Sequence, residues 1–202
     1  AVDLPSSNLM VRLLNGETPK LTSEQIEAYL KENGRSAASL LAISRATGDK
    51  SFLKEAMEKF PNDPRVAFDA VFKSDSPEER RQWLENFKKS APDNAMTSYL
   101  SALDYFKSGH NDQAVQELIA ASSKPQFQDY SWDFVQNAEE AWRTAGYSEA
   151  ETKMVATWQL LLPHASELEQ LNKNIMSLAS AYRQAGDEAS AQAALQFNLK
   201  LG

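Results

Sequence analysis

Residues 95–125 read AMTSYLSALDYFKSGHNDQAVQELIAASSKP, and the order of residue types in this stretch sets the fold class. Leu100, Leu103 and Phe106 recur at helical spacing, Gly109 interrupts, and Ala114, Leu118 and Ala121 resume the period before Pro125 closes the stretch. Small residues at Ala102 and Ala114 let two helix axes approach, Tyr105 fills the adjoining gap, and the glycine supplies the turn. The stretch predicts a helical hairpin, with helices over 95–108 and 112–123.

The same punctuation runs outward in both directions. Pro61 and Pro64, Pro92, Pro125 and Pro163 recur at about the spacing of one hairpin, with Gly48, Gly109, Gly146 and Gly186 between them. Helix starts are written in capping chemistry: Thr22 with Gln25, Ser76 with Glu79, Ser148 with Glu151 and Ser166 with Glu169 each set a hydroxyl three residues before an amide or carboxylate. Pro77 strengthens the second of these. Starts and stops together predict a leading helix over 23–32, ended by Asn33 and Gly34, then five hairpins over 37–47/50–60, 65–73/77–90, 95–108/112–123, 131–145/149–162 and 167–185/188–199. No segment alternates in strand fashion, so the expected fold class is all-α, a solenoid of antiparallel helical hairpins. Residues 1–20, with Pro5, Asn15, Gly16 and Pro19, are expected to be mostly irregular, with a short docking segment at Leu9 to Leu14. Residues 21–202 are expected to form one repeat domain.

Two hairpins carry a family resemblance. Ala102, Tyr105, Gly109 and Ala114 followed by Leu118, Ala121 and Pro125, and again Leu178, Ala179, Tyr182, Gly186, Ala191 and Leu195, are similar to the small–aromatic–glycine–alanine pattern of the tetratricopeptide-repeat (TPR) family. The fourth hairpin keeps Trp142 and Gly146 but has Glu139 at the small position, and Ala150 comes one residue early. The resemblance is clear over 95–199 and divergent over 36–92. It implies a right-handed superhelical solenoid that binds an extended peptide or a partner helix in a concave groove. Carried over position by position, the groove residues are Tyr99, Leu103, Phe106 and Lys107 on the third hairpin, Gln136, Asn137, Glu140 and Arg143 on the fourth, and Lys173, Met176, Ser180 and Arg183 on the fifth. Leu103 and Ser180 stand where the clamp for a peptide's terminal carboxylate has asparagine, so binding of chaperone tails is disfavoured.

Composition narrows the function classes. With 42% apolar residues, 9% aromatic and seven glycines the chain has ample surface to bury. A net charge of -7 opposes binding to phosphate backbones, so no nucleic-acid partner is expected. No stretch is apolar for the roughly 20 residues that span a bilayer, so this segment is not expected to insert in a membrane. The absence of cysteine removes thiolate nucleophiles and cysteine-ligated metals and fits either redox compartment, so localisation stays open. The chain begins at Ala1 rather than Met, which leads to the expectation that an upstream segment has been removed, a secretory signal being one candidate.

Catalytic chemistry is sparse. His164 and Glu167 have helical spacing for two metal ligands, but a pair cannot complete a tetrahedral site and reads as a solvated turn and cap. Glu78 with Glu79 and Glu139 with Glu140 are adjacent, so their side chains diverge around a helix. Phe127, Tyr130, Trp132 and Phe134 are expected to pack between hairpins, and Trp83, Trp142 and Trp158 to lie in the core. The expected function is a non-enzymatic protein-interaction module or scaffold with a protein or peptide partner, no cofactor and no metal. Two alternatives stay open: a helical accessory domain of a larger enzyme or envelope assembly, and a self-associating structural subunit.

Overall fold

The computed structural model describes residues 6–160 and 162–201. Its helices are α1 (Ser6–Leu14), α2 (Ser23–Glu32), α3 (Ala37–Thr47), α4 (Lys50–Lys59), α5 (Pro64–Lys73), α6 (Pro77–Ser90), α7 (Ala95–Lys107), α8 (Asn111–Ser123), α9 (Ser131–Thr144), α10 (Glu149–Trp158), α11 (Pro163–Gln184) and α12 (Glu188–Leu201). Among the described residues the one β-type pairing is an isolated parallel bridge between Asn94 and Gln126. None of these helices is long and apolar enough to cross a membrane.

Local chemistry accounts for the helix limits. Thr22 and Ser148 close full capping boxes with Gln25 and Glu151. Ser76 accepts the Glu79 amide, while the Glu79 carboxylate turns one residue further back to the Asp75 amide at 2.9 Å. Ser166 does not start a helix: Pro163, pre-set for the first helical position, starts α11 earlier, and the Ser166 hydroxyl donates to the Pro163 carbonyl at 3.1 Å. The stop between α7 and α8 shows why a glycine is needed. Gly109 takes φ +78°, its amide bonds the Phe106 carbonyl, and the His110 amide returns to the Tyr105 carbonyl, which satisfies two helix-end acceptors together. Of the segment expected to be irregular, residues 1–5 lie outside the described residues, and from Ser6 it forms α1, a helix whose Leu9 and Leu13, four apart, are buried against Trp142 and Val155.

The helices fall into two compact units, each made from two separate stretches of chain. Residues 21–202, read from the sequence as one array, are thus shared between both. The first unit comprises Ala1–Ala70 and Tyr130–Leu161. In it α3 packs on α4 and α9, α9 pairs with α10, α2 lies against α3 and α9, and α1 lies against α10. Leu40, Leu41, Ile43 and Phe68 have no exposed surface. Arg45 grips Asp69 with two guanidinium nitrogens and lies 3.2 Å over the centre of the Phe134 ring. The second unit comprises Val71–Asp129 and Leu162–Gly202. Here α7 packs on α6, α8 and α11, α11 pairs with α12, and α12 reaches α8. Within each unit, then, a hairpin stacks on one that is distant in the chain: α3/α4 on α9/α10, and α7/α8 on α11/α12.

The central element of the second unit is α7. Every residue from Ala95 to Asp104 is buried, because the helix is surrounded rather than half-exposed. Two of its hydroxyls are satisfied locally, Thr97 donating to the Asn94 carbonyl at 2.7 Å and Ser101 to the Thr97 carbonyl at 2.9 Å. Asn94 also pins the incoming strand of loop, its side chain donating to the Gln128 carbonyl at 2.8 Å and accepting the Gln128 amide at 3.0 Å.

Candidate functional site

The expected groove residues occupy three different settings. On α7, Tyr99 and Leu103 belong to the core of the second unit, packed with Leu118, Leu171 and Ile175, and Phe106 is packed against the same cluster. The apolar anchor expected at an open groove is therefore covered: α11 presents Leu171 and Ile175, four residues apart, to the same face. The α11 candidates are on the other side of that helix. Lys173, Met176, Ser180 and Arg183 are exposed, with Lys173 paired to Glu169 at 2.7 Å and Arg183 to Glu188 at 3.3 Å. Within the second unit the α7 and α11 candidates thus line no common surface. In the first unit, Gln136, Glu140 and Arg143 are exposed on α9, while Asn137 is half-buried and its carbonyl accepts the Tyr29 hydroxyl at 3.3 Å.

The aromatic linker divides between buried and exposed members, and Phe127, 51% exposed ahead of α9, departs from the packed role expected for it. Phe134 is buried beneath Arg45, and Tyr130 meets Phe68 edge-on with ring centres 5.7 Å apart. Trp132, two residues from Phe134 and so on the opposite side of α9, is 72% exposed, a correction to the packed role expected for it. Trp158, expected in the core, is 49% exposed because α10 ends there. Trp142 is fully buried, with its indole N–H donating to Gln159 Oε1 at 3.1 Å.

The second unit also contains a cleft that the sequence does not single out. A cavity of about 450 Å³ opens beside the C-terminal end of α5, the first turns of α6 and the C-terminal end of α7, lined by Val71, Phe72, Ser74, Asp75, Ser76, Pro77, Arg80, Arg81, Asp104, Lys107 and Ser108. A smaller cavity of about 220 Å³, lined by Leu84, Glu85, Lys88, Ser101 and Tyr105, adjoins it, and Arg81 and Asp104 line both. The inner wall is ionic. Arg80 donates through Nη2 to Glu167 Oε2 at 2.6 Å and through Nη1 to the Val71 carbonyl at 2.9 Å, and its buried Nε lies 3.7 Å from Asp104 Oδ1 without a hydrogen bond. Arg81 Nε donates to Asp104 Oδ2 at 3.0 Å, and Lys107 Nζ reaches Glu167 Oε1 at 3.4 Å.

Burial sorts these charges. The Arg80, Asp104 and Glu167 side chains are 15%, 12% and 17% exposed, whereas Arg81 and Lys107 are 52% and 48% exposed at the rim. One buried guanidinium thus faces two carboxylates, and the rim cations supply the remaining positive charge, as buried carboxylates demand. Glu167 is committed here and His164 Nε2 pairs with Asp129 Oδ2 at 3.0 Å, so the two do not converge on one site. Among the described residues no group of three or more His, Asp or Glu side chains is placed to hold a metal ion. The available sequence signals were Asp104, a lone acid ending a run of apolar and small residues, and the consecutive Arg80 and Arg81.

A scan of protein-family models gives no match to this chain, and searches of the curated proteins and of the solved structures give none either.

Proposed function

We propose that this chain is a non-enzymatic protein-interaction module that takes a peptide segment in the cleft flanked by α6 and α7. The observation that carries this is the pair of adjoining cavities, about 450 and 220 Å³, which run to either side of Arg81 and combine apolar walls at Phe72 and Leu84 with an ionic floor. A volume in this range suits a few side chains of a bound segment. Acid–base work needs a carboxylate free to exchange a proton with substrate, whereas Asp104 and Glu167 both accept hydrogen bonds from cationic donors. In this proposal the TPR-like character belongs to the single hairpins α7/α8 and α11/α12, and the binding face shifts from the sealed α7–α11 seam to the opposite side of α7.

The test is site-directed photo-crosslinking. A benzophenone side chain at Lys107 or Ser74 is expected to capture a discrete partner from an extract of the native host, and the same group at Gln192, exposed on α12, is not. Equal capture at Gln192, or none at either cleft position, would sink the proposal. A self-associating structural subunit is the second reading, favoured by Met10, Val11 and Leu14, which leave an exposed apolar face on α1. Light scattering separates the two: a stable homo-oligomer lost in Val11→Ser supports this alternative.

A further inference from the structure

Resting on that reading, we infer that the segment held in the α6–α7 cleft crosses Arg81 as a continuous chain and places one acidic side chain there, its carboxylate taken by the open end of the Arg81 guanidinium with Lys107 as the second cation. The donors left over decide the chemistry. Arg80 is spent on Glu167 and the Val71 carbonyl. Arg81 uses only Nε, on Asp104, and among the described residues neither of its terminal nitrogens has a protein partner. A guanidinium offers a carboxylate two parallel N–H bonds at that terminal edge. Lys107 makes one long contact at 3.4 Å, which leaves most of its donor capacity open.

Charge balance admits no more than a monoanion. Asp75 and Asp104 line the main cavity with Arg80, Arg81 and Lys107, and Glu167 pairs with two of those cations from behind. Glu85 and Lys88 offset each other in the adjoining cavity, so the charges already cancel and only donor edges left open can take an anion. A single carboxylate is accepted by two half-committed cations, while a phosphoryl group brings extra charge against three carboxylates already in place. Geometry selects an internal residue over a chain end: cavity continues on both sides of Arg81, with Val71 and Phe72 on one side and Leu84 and Tyr105 on the other. The bound segment is therefore an acidic residue with apolar residues before and after it.

The experiment uses the full 202-residue chain and hexapeptide mixtures blocked at both termini, with one central position fixed as Glu, Gln or phosphoserine and the others varied over apolar residues. Nuclear magnetic resonance follows the Arg81 Nε–H and the Lys107 and Ser108 amides. The Glu mixture is expected to shift these signals at about tenfold lower concentration than the Gln mixture, with phosphoserine no tighter than Glu. Arg81→Gln should abolish the difference between Glu and Gln, and Lys107→Gln, outside the Asp104 pair, should reduce it. If Gln binds the cleft as well as Glu, or phosphoserine binds it more tightly, the carboxylate assignment fails while the peptide-binding reading stands. If no mixture moves the cleft signals, both fail together.

Discussion

Truncating Leu103 to alanine separates a sealed seam from an open groove at the face of α7 that meets α11. Leu103 has no exposed surface and packs with Tyr99, Leu118, Leu171 and Ile175. The lost methyl and methylene groups cost about 2 kcal/mol in transfer free energy, and the space left behind adds about 1 to 2 kcal/mol, because neighbours on three helices collapse only partly. Leu103→Ala is therefore expected to destabilise by about 3 to 4 kcal/mol, a large share of the roughly 5 to 15 kcal/mol that holds a domain together. Met176→Ala supplies the contrast. Met176 is 46% exposed on the outer side of α11, and its truncation should fall within about 0.5 kcal/mol of the parent. Urea titrations followed by far-ultraviolet circular dichroism read both changes. Had α7 lined a groove, the two truncations would cost similar small amounts, so a Leu103→Ala protein within about 0.5 kcal/mol of the parent refutes the packing of α11 onto α7.

Two further outcomes test other levels of the structure. Glu55 accepts two hydrogen bonds from Arg35 and one from Lys59, which pull its pKa from 4.5 to about 2. A carboxyl whose pKa is lowered by folding stabilises above its unfolded value and loses that contribution as pH falls through the folded one. Glu55→Gln should thus cost about 1 kcal/mol near neutral pH once solvent screening of this partly exposed group is included, and the gap between parent and variant in urea midpoint should close between pH 4.5 and about 2. A gap that persists unchanged at the acid end contradicts the ion-pair account. Ala114→Leu and Ala179→Leu, at positions 0% and 4% exposed, should each destabilise by about 1 to 3 kcal/mol through overpacking; parental melting in both would mean that the helices of these two hairpins do not approach closely.

How far the sequence can be read depends on how far the deciding interactions reach. Helix limits are legible because caps and glycine stops act within about one turn: Thr22 bonds Gln25, Ser148 bonds Glu151, and the His110 amide returns to Tyr105 across Gly109. Which helices pack together is decided by complementary apolar stripes, and the stripe of Tyr99 and Leu103 could meet any such face. It meets Leu171 and Ile175, some seventy residues on. One local signal does bear on this. A groove helix must keep a polar side toward water, whereas α7 carries only apolar and small residues from Ala95 to Leu103, Met96, Leu100 and Ala102 among them, and so demands neighbours all round. In α1 the pairing of Leu9 with Leu13 is equally local, but Asn15 and Gly16 draw the reading toward loop. Asp104 then follows the run that buries α7. An acid at the end of a surrounded helix has to be met by a cation from another helix, because a buried unpaired carboxylate costs several kcal/mol. Adjacent arginines at the start of α6 meet that demand, and since adjacent residues on a helix point about 100° apart, Arg80 turns inward to Glu167 while Arg81 reaches Asp104 with one edge and leaves the other open. The ionic lining of the cleft is thus a by-product of neutralising Asp104, legible as a need in the sequence and as a cleft only once α6 and α7 are side by side.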